Sequence, residues 1–433
     1  MKYYSTNNRN LKVSLREAVI QGLAPDNGLY MPESIPVLPA SFFESLSRLS
    51  FQEIGFQVAK SLIGEDIPTN ELKRIVDHTI QFDAPLVEVE RDVFSLELFH
   101  GPTLAFKDFG ARFLSGLLGY FANQQDKEIT ILVATSGDTG SAVANGFLNV
   151  PGTKVIVLYP SGKVSDIQEK QFTTLGGNIT VLEIDGTFDD CQRLVKQAFM
   201  DEDLKKKLFL TSANSINIAR LIPQSFYYFH AYAQLTDKQS EIIFSVPSGN
   251  FGNLTAGLFA KRMGLPIHKF IAATNENDIV PAYLKTKIFS PRPSVQTISN
   301  AMDVGNPSNF ARILDLYQND FHALSRDLVG CHYSDEDTVN IMRQVFKNSK
   351  YCLDPHGAVG YLGLKEYLNL HSNTVGIFLE TAHPVKFKDV VEGAIHQLVP
   401  IPERLNAFLE KEKRTNRMTS SFSELKQFLL FSL

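Results

Sequence analysis

The chain has 433 residues, so at about 150 residues per domain it holds roughly three folding units. Apolar residues make up 44% and charged residues 21%, an ordinary globular balance that excludes a disordered chain. The 42 basic and 47 acidic residues leave a net charge of −5, which argues against nucleic acid as a partner.

The start, Met1 to Asn10, is polar and does not read as a signal peptide. Residues 1–95 read as a separate, mostly helical cap. Ser14 and Glu17 have capping-box spacing, Leu15, Ala18 and Val19 follow at helical intervals, and Gly22 is placed to end the helix. Pro25-Asp26-Asn27-Gly28 reads as a turn. Ser50 and Glu53 open a second helix that Gly64 stops, and 71–80 is a third. At Leu86 the pattern changes to strand-like alternation, over 86–89 and 94–99. From Ile129 strands and helices alternate. Strands fit 129–135, 154–159, 179–184, 208–211, 241–246, 268–273 and 375–379. Helices fit 139–148, 165–174, 188–200, 217–235, 251–263, 334–347, 356–369 and 387–397. The strands are near-continuous apolar runs, expected where helices cover both faces of a parallel sheet. The fold class is therefore α/β, with one lobe expected over 96–235 and another over 236–433, or with the two interleaved in sequence. Residues 285–333 read as an irregular excursion. The runs Lys205-Lys206-Lys207 and Glu410-Lys411-Glu412-Lys413-Arg414 read as solvated faces. No apolar run approaches the roughly 18 residues that span a bilayer. Cys191, Cys331 and Cys352 are too far apart for a disulfide framework, so a reducing, cytoplasmic compartment is expected. The ten histidines show no His-Glu-x-x-His and no zinc spacing, so no metal is expected.

Four loops lie where strands hand over to helices, the usual place for ligands in α/β sheets. In His100 to Gly110, Lys107 follows Leu104-Ala105-Phe106. Partial burial there would free its amine as a nucleophile, though a snorkelling lysine reads equally well. Thr135-Ser136-Gly137-Asp138-Thr139-Gly140 opens a helix and suits an anion, or is simply a tight turn. Pro247-Ser248-Gly249-Asn250-Phe251-Gly252-Asn253 can aim several N–H groups at one phosphate. It lacks the third glycine of the dinucleotide fingerprint. Leu379-Glu380-Thr381-Ala382-His383-Pro384 offers a hydroxyl at a strand end, or a turn before proline. One cofactor would explain all four loops together. Pyridoxal phosphate needs a lysine for its aldehyde, an anion cup for its phosphate and a partner for its ring nitrogen.

With these segments, and with Ala24 to Tyr30, the chain resembles the threonine synthases over nearly its whole length. These are pyridoxal-phosphate enzymes of the fold-type II class, which includes tryptophan synthase β-chains and serine/threonine dehydratases. The resemblance is to the bacterial and fungal branch, with Asp138 where many fold-type II enzymes have Asn. It implies two parallel-sheet α/β lobes and an N-terminal cap. It implies that Lys107 holds the cofactor aldehyde and moves protons, that Gly249, Asn250, Phe251, Gly252 and Asn253 cradle its phosphate, and that Thr381 faces its ring nitrogen. It implies that Ser136, Gly137, Asp138 and Thr139 hold the substrate carboxylate and the cofactor O3′ side. Asn214, Ser215 and Arg220 match the family's substrate-phosphate motif. A fork of guanidinium donors suits that role, but the segment alone reads as a helix cap with a surface arginine. Lys163 is a further cation or a plain loop lysine.

The reaction implied is O-phospho-L-homoserine plus water giving L-threonine and phosphate, the last step of threonine biosynthesis. A monomer or homodimer acting on this small molecule, away from membranes and nucleic acid, is expected. A related phospholyase or dehydratase would share the cofactor loops. A non-catalytic phosphate-binding α/β protein is a more distant alternative.

Overall fold

The computed structural model describes residues 1–124 and 128–431. In chain order its strands are β1 (Lys2–Ser5), β2 (Asn8–Ser14), β3 (Tyr30–Pro32), β4 (Leu86–Glu90), β5 (Val93–Glu97), β6 (Ile129–Ala134) and β7 (Thr153–Pro160). Then come β8 (Ile179–Asp185), β9 (Phe209–Ser212), β10 (Glu241–Pro247), β11 (Lys269–Thr274), β12 (Leu328–His332), β13 (Thr374–Glu380) and β14 (Asn416–Thr419). The chain divides into two compact units, one of residues 1, 31–106 and 221–400, the other of 2–30, 107–220 and 401–433. The divisions fall at 30/31, 106/107, 220/221 and 400/401.

The first unit is built on a six-stranded sheet of order β12-β11-β10-β13-β5-β4. All neighbours are parallel except the antiparallel edge pair β4–β5. Strands β10, β11 and β13 are buried almost end to end, as apolar strands covered on both faces must be. Much of the phenylalanine content lies here. Tyr228 meets Phe244 and Phe270 edge-on, and Phe251, Tyr283, Phe289, Phe310 and Phe321 form a second aromatic cluster. The helix of Phe51–Ile63 keeps its expected box. Ser50 N–H donates to Glu53 Oε2 at 2.8 Å, and Glu53 N–H donates to Ser50 Oγ at 3.3 Å.

The second unit carries a fully parallel sheet of order β14-β8-β7-β6-β9. Leu132, Ile156, Leu182, Leu194, Met418, Leu425 and Leu429 pack into one core on it. Helix Leu15–Gln21 begins at the Ser14/Glu17 box and ends at Gly22, as its sequence predicts.

Three expectations change. The start of the chain is not all helix, because β1 and β2 form an antiparallel hairpin within a β2-β1-β3 sheet. Most of β2 is exposed or half-exposed, so its apolar alternation is weak. The excursion over 285–333 contains helices Phe310–Leu316 and Phe321–Asp327 and the edge strand β12. The run at 410–414 is not a purely solvated face, because Lys413 reaches Glu169 at 2.6 Å and Glu183 at 2.9 Å. The exposed Lys205–Lys207 run closes the short helix Glu202–Lys207 and keeps its plain reading.

Burial works against ionising Glu183, but hydrogen bonds from Ser161, Lys413 and Tyr159 outweigh it and pull its carboxyl down to about 2. A folded value below the unfolded one stabilises above pH ~4.5, and the gain is lost as pH falls towards 2. Lys413→Met should therefore cost about 1 kcal/mol at pH 7, since Lys413 is partly exposed and screened. The difference from wild type should shrink in denaturation series run down to pH 3. A constant difference across that range would contradict the assignment.

Candidate active site

Lys107 opens the helix Lys107–Ala122 of the second unit. The preceding residues Thr103 to Phe106 make a turn that ends in backbone pairing, which fixes where this helix starts. Phe106 N–H donates to Thr381 O at 2.9 Å, and His383 N–H donates to Leu104 O at 3.0 Å. Leu104 itself takes a left-handed φ of 59°. The Thr381 turn thus anchors the backbone one residue before the lysine. The Lys107 side chain is 17% exposed, and Nζ lies 3.5 Å from Asp138 Oδ2.

Asp138 belongs to the next candidate loop and is the first residue of its helix. Strand β6 ends at Ala134, and Thr135 Oγ1 accepts from the N–H groups of Gly137 and Gly140 at 2.9 and 2.8 Å. Gly137 has φ 140°, a region that disfavours side chains, and an added Cβ would lie 2.7 Å from Gln168. The turn releases helix Asp138–Phe147, whose first N–H groups lack helical acceptors. Ser136 is exposed, Thr139 half-buried, and Gly137 and Asp138 buried. Asp138 Oδ1 accepts from Gln168 Nε2 at 2.8 Å, so the carboxylate is held between an amide and the lysine.

Arg220 joins this group from the other side. It is 3% exposed, and its Nη1 donates to Ala213 O at 2.7 Å. A Cβ on Gly110, one turn along from Lys107, would lie 3.3 Å from Arg220 Nε. Burial pushes the guanidinium down to about 10, so it remains a cation at neutral pH. Asn214 and Ser215 are half-buried beside it in the chain. Asn217 holds the turn, its Nδ2 donating to Val19 O and its Oδ1 accepting from Ala219 N–H. Lys163 is exposed in the turn Ser161–Lys163 and does not join the group.

In the first unit, β10 and β13 are adjacent and parallel, so the loops after them leave the same sheet edge. The loop after β10 ends at Phe251, which caps helix Gly252–Arg262 with a left-handed φ of 61°. That conformation costs a bulky residue about 1–2 kcal/mol. Packing of the nearly buried ring against Phe310 helps offset it. Asn253 braces the loop, its Nδ2 donating to Pro247 O at 2.8 Å and its Oδ1 accepting from Ser248 Oγ and Leu254 N–H. Asn250 Oδ1 accepts from Ser308 N–H. An added Cβ at Gly249 would lie 2.7 Å from Met302 Cα, so only a glycine lets that backbone approach. The cup is a glycine-walled, left-handed entry to an 11-residue helix, which suits a phosphate. Thr381 is 6% exposed at the end of β13 and carries a hydroxyl rather than a carboxylate. Within the first unit the cup fits a phosphate and the Thr381 hydroxyl a basic ring nitrogen; within the second, the largely buried Lys107 amine fits an aldehyde.

Sequence reasoning missed several neighbours. Gln168 lies in the first turn of helix Asp166–Thr173, where its Ser165-x-x-Gln168 spacing signals a helix cap and not a partner for Asp138. Arg312, fully buried and donating to Asn309 Oδ1 at 2.6 Å, lies in the irregular region. A Cβ on Gly252 would lie 3.5 Å from Asn309 Nδ2. Lys386, 2% exposed, donates to Thr103 O at 2.8 Å. Asp354-Pro355 carried a usable signal, an N-cap acid before a first-turn proline. His100 and His383 are hydrogen-bonding residues here. His100 Nε2 is 2.7 Å from Glu97 Oε2, and His383 Nδ1 accepts from Val385 N–H. No group of metal-ligating side chains occurs among the described residues.

Comparison with known proteins agrees with this architecture. Three protein-family models match: "Threonine synthase N terminus" over residues 2–80, "Pyridoxal-phosphate dependent enzyme" over 80–379, and "Threonine synthase, C-terminal" over 357–429. The threonine synthase of Serratia marcescens is 45% identical over 431 residues, covering 99% of each chain. The crystal structure of the Escherichia coli enzyme superposes with a TM-score of 0.93 at 45% identity, covering 100% of both chains. The pyridoxal-phosphate-bound threonine synthase of Brucella melitensis superposes with a TM-score of 0.93 at 34% identity, covering 99% of this chain and 98% of that one. With its two parallel sheets and these matches from end to end, the chain has the fold-type II architecture and belongs to the threonine synthase family of pyridoxal-phosphate-dependent enzymes.

Proposed function

We propose that the chain converts O-phospho-L-homoserine and water to L-threonine and phosphate. The observation that carries the reading is the grouping of Lys107, Asp138 and Arg220 around the first turn of one helix. A proton carrier, an anion loop and a buried cation are what this reaction needs. Pyridoxal phosphate, when bound, supplies the electron sink that makes the α- and β-protons of the amino acid removable.

The chain's own residues do the rest. Lys107 holds the aldehyde carbon at rest. As a free amine its Nζ would take the α-proton and then a β-proton, return one to Cγ once phosphate has left, and return the other to Cα after water has added its OH at Cβ and given its proton to the released phosphate. Asp138, fixed by Gln168, keeps that nitrogen near its working position. Gly249, Asn250, Phe251, Gly252 and Asn253 hold the cofactor phosphate through helix-start N–H groups. The Thr381 hydroxyl meets the ring nitrogen and, unlike a carboxylate, does not enforce its protonation. Ser136, Gly137 and Thr139 bind the substrate carboxylate with Asp138 alongside. Arg220, Asn214 and Ser215 grip the leaving phosphate, and the arginine matters most as charge builds there.

The substrate and cofactor are both small molecules, and among the described residues no helix is long and apolar enough to cross a membrane. We place the enzyme in the cytoplasm, as a monomer or homodimer without nucleic acid. The deciding experiment is incubation with O-phospho-L-homoserine, assaying threonine, 2-oxobutyrate and phosphate separately. Threonine and phosphate in equal amounts are expected. 2-Oxobutyrate without threonine would replace the synthase by a lyase.

A further inference from the structure

We propose that Asp354 and His356 are positioning residues that tie the Thr381 turn to the loop over Gly249, holding the ring end and the phosphate end of the cofactor site at one spacing. The inference rests on the assignment of Gly249 and Thr381 above, and all its residues lie in the first unit.

The connection is continuous and buried. Glu380 is the last residue of β13 and directly precedes Thr381. Its Oε1 accepts from Asp354 N–H at 2.5 Å. Its Oε2 lies against Gly357, where an added Cβ would sit 1.6 Å away. Asp354 caps helix Pro355–Leu368, and its Oδ1 accepts from His356 N–H at 2.7 Å and faces His356 Nδ1 at 2.5 Å. His356 Nε2 accepts from Ala301 N–H at 3.2 Å. A backbone N–H can only donate, so Nε2 bears the lone pair and Nδ1 carries the proton. Ala301 O and Met302 Cα are the atoms that crowd Gly249, at 2.8 and 2.7 Å from an added Cβ. Glu380 and Asp354 are fully buried and His356 is 2% exposed. Burial first, and the neighbouring Asp354 second, hold the Glu380 carboxyl well above the usual range.

A helix cap alone would need only the Asp354 carboxylate. The histidine extends the cap by one ring to the loop whose Ala301 and Met302 lie against Gly249. The far side of that loop is braced by Asp303, whose Oδ1 accepts from Asn275 Nδ2 and Thr297 Oγ1. The segment of residues 299–304 is thus held on both sides beside Gly249.

The test compares His356→Ala, His356→Asn and His356→Gln, with Gly249→Ala alongside. Pyridoxal phosphate is titrated into each apoenzyme, the 31P shift of the bound phosphate is recorded, and apoenzyme melting is followed. Asn can replace the Nδ1 donor to Asp354 but not reach Ala301; Gln can place an acceptor near the Nε2 position. Ala and Asn should each weaken cofactor binding at least tenfold and move the 31P resonance. Gln should recover binding to within about threefold of wild type, a fraction of the 1.4 kcal/mol that tenfold represents. The proposal is overturned if His356→Ala binds within twofold of wild type, if Asn and Gln lose equally, or if only melting changes. Should the Ala variant not fold, the contrast between Asn and Gln decides. If Gly249→Ala also binds normally, the phosphate-cup assignment itself fails. If Gly249→Ala weakens binding and the His356 variants do not, the positioning role alone fails.

Discussion

Lys107→Ala is expected to abolish the visible absorption that the bound cofactor gives and to lower turnover at least about 10^4-fold. The size follows from two losses at one atom. In the proposed mechanism the same Nζ is both the anchor for the aldehyde and the carrier of the protons, so no neighbour can replace one role and leave the other intact. Asp138, the side chain 3.5 Å away, is an acid and cannot act as an amine. The fold should tolerate the change. Lys107 is the first residue of its helix, its side chain is partly exposed, and alanine favours helix. Absorption spectra with added cofactor, circular dichroism and single-turnover assays together separate these effects. Turnover near wild type in the folded variant would sink the assignment.

Arg220→Ala should lower kcat/KM for O-phospho-L-homoserine by roughly 10^2- to 10^3-fold, about 3–4 kcal/mol, the range for losing a buried charged partner. Arg220→Lys should recover little. A lysine offers a point charge instead of a planar fork and would leave Ala213 O, now accepting at 2.7 Å, without its donor. Cofactor titration is the control, because the proposed cofactor contacts of Gly249–Asn253 and Thr381 involve other side chains. Unchanged kinetics would reject the phosphate role. Lost cofactor binding would instead mark Arg220 as a structural support for the turn at Gly110.

The α/β class and most elements after Ile129 were legible, because apolar runs of strand length alternated with 3.6-periodic segments. Strand β10 and helix Gly252–Arg262 lie within a residue of their expected ends. Helix starts at Ser14 and Ser50 were legible because a capping box is local chemistry. The hairpin β1–β2 was not, because β2 is exposed or half-exposed throughout and its apolar alternation is weak. The loops of the candidate site could be named from small residues at strand ends. Their braces could not, because each is a long-range contact. Gln168 reaches Asp138 from 30 residues away, and His356 meets Ala301 across 55. Nothing in either local sequence marks the partner. Lys413 shows the same limit, since a charge run gives no sign of the two acids it meets.

The interleaving of the two units sets the order in which this protein can be made. A ribosome delivers residues from Met1 onward, but the first unit needs its chain through Pro400 and the second needs Ile401–Leu433. The tail supplies β14, paired to β8, and Leu425 and Leu429 for the core. Strands β6 to β9 can pair with one another early, but the β8 edge and the core that Leu425 and Leu429 complete wait for the tail. Loss of that tail is therefore expected to leave an open sheet edge and apolar surface that favour aggregation.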